Sequence, residues 1–562
     1  MNFKKTLAIG LAALLLAGCS GSGSPASSAA SAGSAGSEQE PAEPNADLSA
    51  QYSNLNFRLA LSYAIDRQQI ADLVLKDGSI AAEGFIPKDF AYGPDGKDYR
   101  ETVGNLLSYD VDKAKECLDK AKEELGTDSF TVSLLYETDS EAPGKVCAAI
   151  QQMWQDNLGI TVNLVSKTKK ERLDLMNNLT YEIGLTRWGP DYADPQTYLD
   201  LFKSDQSGYN NYYFNDDYDA LLNKAENGED AADPEKRWQD LIDAEKLIID
   251  DMGIIPVFQN GSAMLINPDV TGIEFHNAGV DSYRQITVAN DTNTVNIAIN
   301  ADLNTMDHNV ATDGGSFVMQ NLCIGGLAAL DENAQPIPDL AESWEISEDG
   351  TVYTFHIRDA KWSNGTPLTA NDFVFGWRRL NDPELQSEYA FILETIGVKN
   401  AKATHDGEMA MEELGVEAVD EKTFVVTLDR PCGFALGLMA FPSFFPLNEE
   451  FFNEHKDSYA QSLDDLLFCG PYVFSNWEEN HEYTFTKNPD YWNAAEFEQY
   501  ADEIIFTFVS EAQSAALSYQ QGNTDVVTLT GDLVDQYKSD PGFTQRLQGY
   551  AWRLNVNQTV KE

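Results

Sequence analysis

The chain has 562 residues, too many for one hydrophobic core, so two or three domains are expected. Its 38 Lys+Arg against 91 Asp+Glu give a net charge of −53, which excludes the basic footprint that nucleic-acid binding needs and sets the surface against anionic headgroups. With 43% hydrophobic residues, 39 Gly and 21 Pro, the composition is globular rather than collagen-like, coiled-coil or wholly disordered.

Lys4 and Lys5 precede an apolar run, 7–16, too short to span a bilayer. Leu16, Ala17, Gly18 and Cys19 follow, the pattern of a bacterial lipoprotein signal: small residues admit a peptidase and the thiol carries the lipid. Residues 1–19 therefore read as a signal peptide with Cys19 as the lipidation site, and acyl chains there would anchor the protein stably. No later stretch approaches 18 uncharged apolar residues, so the remainder is expected outside the membrane. Residues 20–50 are Ser/Ala/Gly-rich and then Glu/Pro-rich, too poor in apolar area to order themselves, and read as a flexible tether.

From Asn56 the chain becomes globular. Residues 57–65 have helical periodicity, with Asp66 and Arg67 leading into a second helix. Asp110 is placed to cap an amphipathic helix over 110–125. A strand over 130–136, a helix over 148–158 and a strand over 160–165 predict an α/β lobe with a largely parallel sheet. Asp233 caps a helix over 234–252 with Pro234 at its first position, and 254–258 is a strand. Residues 294–299 form another strand, after which hairpins dominate: Trp344–Ser347 and 353–358 flank a turn at Asp349 and Gly350.

Catalytic patterns are missing. There is no G-x-S-x-G, P-loop, G-x-G-x-x-G or H-E-x-x-H, and the six His (276, 308, 356, 405, 455, 481) lack metal-like spacing. Neither an enzyme nor a cofactor or metal is expected. Besides Cys19 there are Cys117, Cys147, Cys323, Cys432 and Cys469, with no C-x-x-C pair. In an oxidising compartment Cys432–Cys469 and Cys117–Cys147 are the candidate disulfides, and spacing alone does not decide between them.

One block is far more specific. Pro338, Asp339, Leu340, Ala341, Glu342, Ser343 and Trp344 lead through Asp349-Gly350-Thr351 into Ala360, Lys361, Trp362, Ser363, Asn364, Gly365, Thr366 and Pro367. This closely resembles the signature of the family-5 extracellular solute-binding proteins for oligopeptides, dipeptides and nickel. Gly470-Pro471-Tyr472 with Asn488-Pro489-Asp490-Tyr491-Trp492, and Ala60-Leu61-Ser62-Tyr63-Ala64-Ile65-Asp66-Arg67, resemble two further segments of that family. In the family the signature comes first, whereas here the later half precedes it.

The resemblance implies an α/β, two-lobed periplasmic-binding-protein-like type II fold with an extra subdomain and its halves in permuted order. Lobe II would occupy 51–258, and 259–330 would begin lobe I with the junction near Asn290. The extra subdomain would cover 331–445 and the rest of lobe I 446–562. Such a permutant is expected to keep one of the family's two interlobe crossovers.

Trp188, Asp191, Tyr192 and Pro195 resemble the family's W-x-x-D-Y-x-x-P motif. By that resemblance Asp191 would take a peptide's amine, the backbone of Arg187, Trp188 and Gly189 would offer a strand edge, and Trp188 would wall a pocket beside Tyr192. Thr312, Asp313 and Gly314 resemble the facing edge. Met176 and Leu185 stand where some members carry cations for the peptide carboxylate, so no such residue is carried over. The expectation is a lipid-anchored, extracytoplasmic protein that captures oligopeptides for an ABC importer. Its partners would be the peptide, the permease subunits and the membrane through its lipid, without nucleic acid. A dipeptide, oligosaccharide or chelated-metal binder of the same family is the rival, ahead of a secreted hydrolase or a surface lipoprotein outside transport.

Overall fold

A computed structural model describes residues 45–190, 192–204, 212–227, 230–231, 233–332 and 334–561. The readings on 1–19, Cys19, most of the tether and Asp191 lie outside these residues. The end of the expected tether is helical: Asn45 caps α1 (Ala46–Ser53) by accepting from Leu48 N. The Asn45 N–H donates to Val560 O at 2.8 Å, and buried Tyr52 donates to Glu182 Oε2 at 2.5 Å. These contacts, with distant parts of the chain, supply what a Glu/Pro-rich segment lacks locally.

In α2 (Leu55–Tyr63) the buried Arg58 donates to Met252 O, Tyr52 O and Asp251 O at 2.8–3.0 Å. Arg67 donates to Pro256 O at 2.7 Å. The two guanidiniums satisfy carbonyls at the helix end and strand start that would otherwise be buried unpaired. Asp110 caps α3 (Val111–Leu125) through Lys113 N, and Gly126 ends it in the left-handed region. The two-residue β1 (Ile80–Ala81) lies on β5 (Ile254–Ile266). Strands β2 (Thr131–Glu137), β3 (Thr161–Lys167) and β4 (Ile183–Trp188) are parallel, with α4 (Glu141–Leu158) crossing from β2 to β3 and α5 (Lys169–Asn177) leading to β4. Helix α6 (Pro234–Asp250), capped by Asp233, then leads into β5.

The second half supplies β6 (Thr294–Ile299), α7 (Gly314–Cys323), β7 (Ala341–Ile346), β8 (Val352–Ile357), α8 (Ala370–Leu380), β9 (Val416–Asp420) and β10 (Thr423–Thr427). It continues through β11 (Tyr472–Glu478), β12 (Glu482–Lys487), β13 (Glu503–Phe508), β14 (Val526–Leu529) and β15 (Phe543–Val556). The hairpin expected around Asp349 forms, with Ile346 opposite Tyr353 and Gly350 at φ +71°. It belongs to a four-stranded antiparallel sheet, β7-β8-β10-β9, whose Phe424 packs with α8 through Trp377.

One sheet runs through both halves in the order β11-β12-β13-β6-β14-β5-β15-β4-β2-β3. It is mixed, not largely parallel: β2–β3, β2–β4, β6–β13 and β6–β14 are parallel, and the pairs involving β5 or β15 are antiparallel. The antiparallel centre follows from two long strands that pass between the halves. In β5, Ile255 to Phe258 pack in a core of the first half, whereas Ala263 to Leu265 pack in those of the second. In β15, Phe543 packs with the second half and Trp552, Leu554 and Val556 with the first. Two crossovers therefore exist where the sequence predicted one, because the last strand returns into the sheet of the first half. For the same reason 551–560 pack away from the rest of 446–562.

The disulfide Cys432–Cys469 is not formed. Both thiols are free and buried, as are those of Cys147 and Cys323, and Cys117 is also free. The Cys469 backbone N–H bonds Cys323 O, which places it on the α7 end.

Asp200 gives the fold a pH dependence. Its Oδ2 accepts from Gln196 Nε2 at 2.9 Å, while its buried Oδ1 has no partner among the described residues. Burial, and then the Glu226 carboxylate, push its pKa up to about 7. Between about pH 4 and pH 7 the folded state holds a proton that the unfolded state has released, so the contribution of Asp200 to stability is fully present below about pH 4, is lost as pH rises and is gone above about 7. Asp200→Asn is expected to flatten that slope and to exceed the parent at pH 8 by up to about 4 kcal/mol. Urea midpoints at pH 4.5 and 8 check this, and parallel pH profiles for the two proteins would refute it.

Candidate ligand-binding site

A cavity of about 780 Å³ takes side chains from both halves: Tyr192, Asp194 and Trp238 from the first, Arg284, Phe434 and Tyr491 from the second. The Tyr192 and Phe434 rings stack across it, 4.0 Å apart at 10°. Beside them the buried Arg237 of α6 grips Asp194 with two bonds of 2.7 and 2.9 Å and donates to Gln196 Oε1 at 2.9 Å. Its guanidinium lies 5.8 Å from the Phe434 ring, a cation–π contact that joins one half to the other. Arg430 and Glu226 form an ion pair of 3.0 Å between the same halves.

Charge in this cavity is acidic. Arg284 is fully engaged by Asp339 Oδ2, Asn321 O and Ile324 O at 2.6–2.8 Å. Glu274, Glu348, Asp349 and Glu496 also line it and have no ion pair among the described residues. Burial raises the pKa of half-buried Glu274. The walls suit an ammonium group with apolar neighbours.

A second cavity of about 270 Å³ lies beside β4. Arg187, Trp188 and Gly189 line it, together with Arg172, Tyr550 and Arg553. On one side the backbone from Ile183 to Trp188 pairs with β15, from Val556 to Ala551. On the other, β2 pairs only as far as Gly184, so past that point this edge carries no strand among the described residues. Exposed Arg187 places its guanidinium 4.8 Å from the Tyr550 ring and 5.3 Å from that of Trp552. Arg172 on α5 is buried and bonded to Glu137 at 3.0 Å, Thr186 Oγ1 at 2.8 Å and Met176 Sδ at 3.2 Å.

The sequence-predicted residues thus divide. Arg187, Trp188 and Gly189 share the smaller cavity, and Tyr192 lines the larger. Thr312, Asp313 and Gly314 line neither: Asp313 caps α7 by accepting from Ser316 N and Ser316 Oγ, with Thr312 and Gly314 exposed. Met176 reaches the smaller cavity as an apolar wall, and Leu185 is buried in a core of the first half.

Arg172, Arg553, Asp194, Arg237 and Phe434 were not singled out from sequence. For Arg553 a signal existed: in β15 the apolar Trp552, Leu554 and Val556 alternate with Arg553 and Asn555. All five are buried, so the polar pair faces an interior. The pairing of Asp194 with Arg237 had none, because 43 residues separate them.

Residues 25–210 and 335–561 match the bacterial extracellular solute-binding proteins, family 5 Middle. A dipeptide-binding protein of Lactococcus lactis is 30% identical over 273 residues, 48% of this chain and 49% of that one. The periplasmic oligopeptide-binding protein OppA of Haemophilus influenzae is 35% identical over 238 residues, 41% of this chain and 43% of its own. The chain spans about half the length of the curated relatives it matches. Among solved structures, the substrate-binding domain of an oligopeptide ABC transporter from Bacillus anthracis has 39% identity and a TM-score of 0.43, over 45% of this chain and 48% of that one.

Proposed function

This chain belongs to the bacterial extracellular solute-binding proteins of family 5, and from that membership we propose that it captures oligopeptides between its two halves and passes them to an ABC importer. The family consists of binding proteins, so the chain is not an enzyme. The observation that carries the peptide reading is the cavity of about 780 Å³ built by side chains of both halves, which a hinge motion would open and close. Asp191, one residue before Tyr192 in the matched motif, takes the peptide's amine. The unpaired edge of β4 at Arg187 to Gly189 pairs with the peptide backbone regardless of its sequence, and Trp188 walls a side-chain pocket. Thr312 to Gly314, at the N-terminus of α7 and on neither cavity wall, is not part of this site. Cys19 carries the lipid that holds the protein outside the cytoplasmic membrane, with permease subunits as the receiving partner. No helix among the described residues is long and apolar enough to cross a membrane.

Native mass spectrometry of the chain from residue 20, purified without refolding, tests this. One-to-one complexes that release assorted short peptides are expected. A folded monomer that carries a sugar or a bile acid instead would sink the peptide assignment.

The order of the halves is part of the same reading: the chain is a circular permutant with old termini fused near Asn290. Two facts support it. Asn45 and Val560 are hydrogen-bonded neighbours, and 289–292 form an exposed turn in which Asn290 Oδ1 accepts from Thr292 N. A reordered chain running 294–561 and then 45–289 is expected to unfold within about 1 kcal/mol of the parent. A reordered chain that fails to fold would contradict this.

A further inference from the structure

Three contacts between the halves come from one short loop of the second, Arg430 to Phe434, which follows β10 and gives Pro431, Cys432, Gly433 and Phe434 to the wall of the larger cavity. Phe434 stacks on Tyr192 at 4.0 Å and lies 5.8 Å from the Arg237 guanidinium, while Arg430 pairs with Glu226 at 3.0 Å. Both rings are buried, and the Arg430 and Glu226 side chains are largely shielded from water, so neither contact is an ordinary surface pair.

Each side holds its groups ready. On the first half, Lys203 fixes Glu226 Oε2 at 2.9 Å and leaves Oε1 to Arg430, and Asp194 with Gln196 fixes Arg237 beneath the Phe434 ring. On the second, Arg430 also donates to Thr395 O at 2.9 Å, and Pro431 packs on the hairpin turn, where a Cβ added to Gly350 would meet its ring at 3.1 Å. Groups fixed beforehand lose little entropy when they meet, so these contacts stabilise the joined state more than two mobile side chains would. All three join protein to protein, so their contribution is the same whichever side chains a ligand brings.

We propose that the loop from Arg430 to Phe434 is a latch, which holds the halves together once they have met and sets how fast the cavity reopens. The assignment rests on the reading that the halves close over a ligand. Its contacts form only after the halves have come together, so it governs release more than capture. Cys432 supplies a readout: it lines the larger cavity and is 6% exposed, whereas the equally buried Cys323 of α7 lines neither cavity.

Iodoacetamide labelling of the purified chain, read by mass mapping of Cys432 and Cys323, tests this. Cys432 is expected to react about 3- to 10-fold faster in Phe434→Leu, which keeps an apolar side chain, and about 2- to 5-fold faster in Arg430→Gln, with Cys323 protected in both. Glu226→Gln, which alters nothing on the loop itself, should match Arg430→Gln and so separates reopening from local loosening. Tetra-alanine should leave its complex faster by the same factors, while its association changes by about twofold at most. Unchanged labelling of Cys432 in the variants that keep Cys323 protected would overturn the latch, as would faster labelling in the loop variants but not in Glu226→Gln. Faster labelling in all three, with no binding of tetra-alanine by the parent, would sink the peptide reading and leave the latch standing.

Discussion

Glu245→Ala is expected to lower the unfolding free energy by about 3–5 kcal/mol, read as a shift of the urea midpoint at unchanged slope. Glu245 on α6 is completely buried, and its Oε1 accepts from Phe85 N at 2.7 Å, from Ile86 N at 2.8 Å and from the Arg100 guanidinium. Arg100 is itself 3% exposed and donates onward to Ile86 O and Gly104 O. Removing the carboxylate strands a buried cation and two backbone N–H groups together, and the damage exceeds the value of any one bond. Glu245→Gln, which keeps an acceptor but not the charge, should fall between parent and alanine variant. A loss below about 1 kcal/mol in Glu245→Ala would mean that water reaches this site.

The second large effect concerns ligand capture. If Asp191 receives the peptide's ammonium, Asp191→Ala should weaken binding of tetra-alanine by about 10- to 150-fold, the equivalent of one charge-assisted hydrogen bond of about 1.5–3 kcal/mol. The parent should discriminate against the N-acetylated peptide to the same degree, whereas the variant should bind free and acetylated peptides alike. A variant that still prefers the free amine would assign the ammonium to another carboxylate, with Glu274 in the larger cavity the first to examine.

Much of the local structure was legible because it depends on near neighbours. Asp110, Asp233 and the turn at Gly350 act within a few residues, and 294–299 is a strand as read. The strand expected over 254–258 runs on to Ile266. In the fold Gly261 continues β5, since a Cβ there would run into the backbone of Gly78 and Ser79. The second crossover could not be read from composition or periodicity, because a strand's sheet partners are long-range facts. The site was legible only where a motif carried it: Arg187 to Gly189 and Tyr192 lie on cavity walls, whereas Arg553 and Phe434 depend on which elements the sheet brings together.

The position of β15 has a consequence for how the molecule is made. It lies between β5 and β4, yet in the chain it follows both of them only after the whole of the second half. Until it arrives the first half has a slot in its sheet: β4 and β5 each wait with an open edge, and Ile183, Ile255 and their neighbours lack the Trp552, Leu554 and Val556 that complete their core. The half synthesised first therefore finishes folding last, and the intervening residues must be made while those edges stand unprotected.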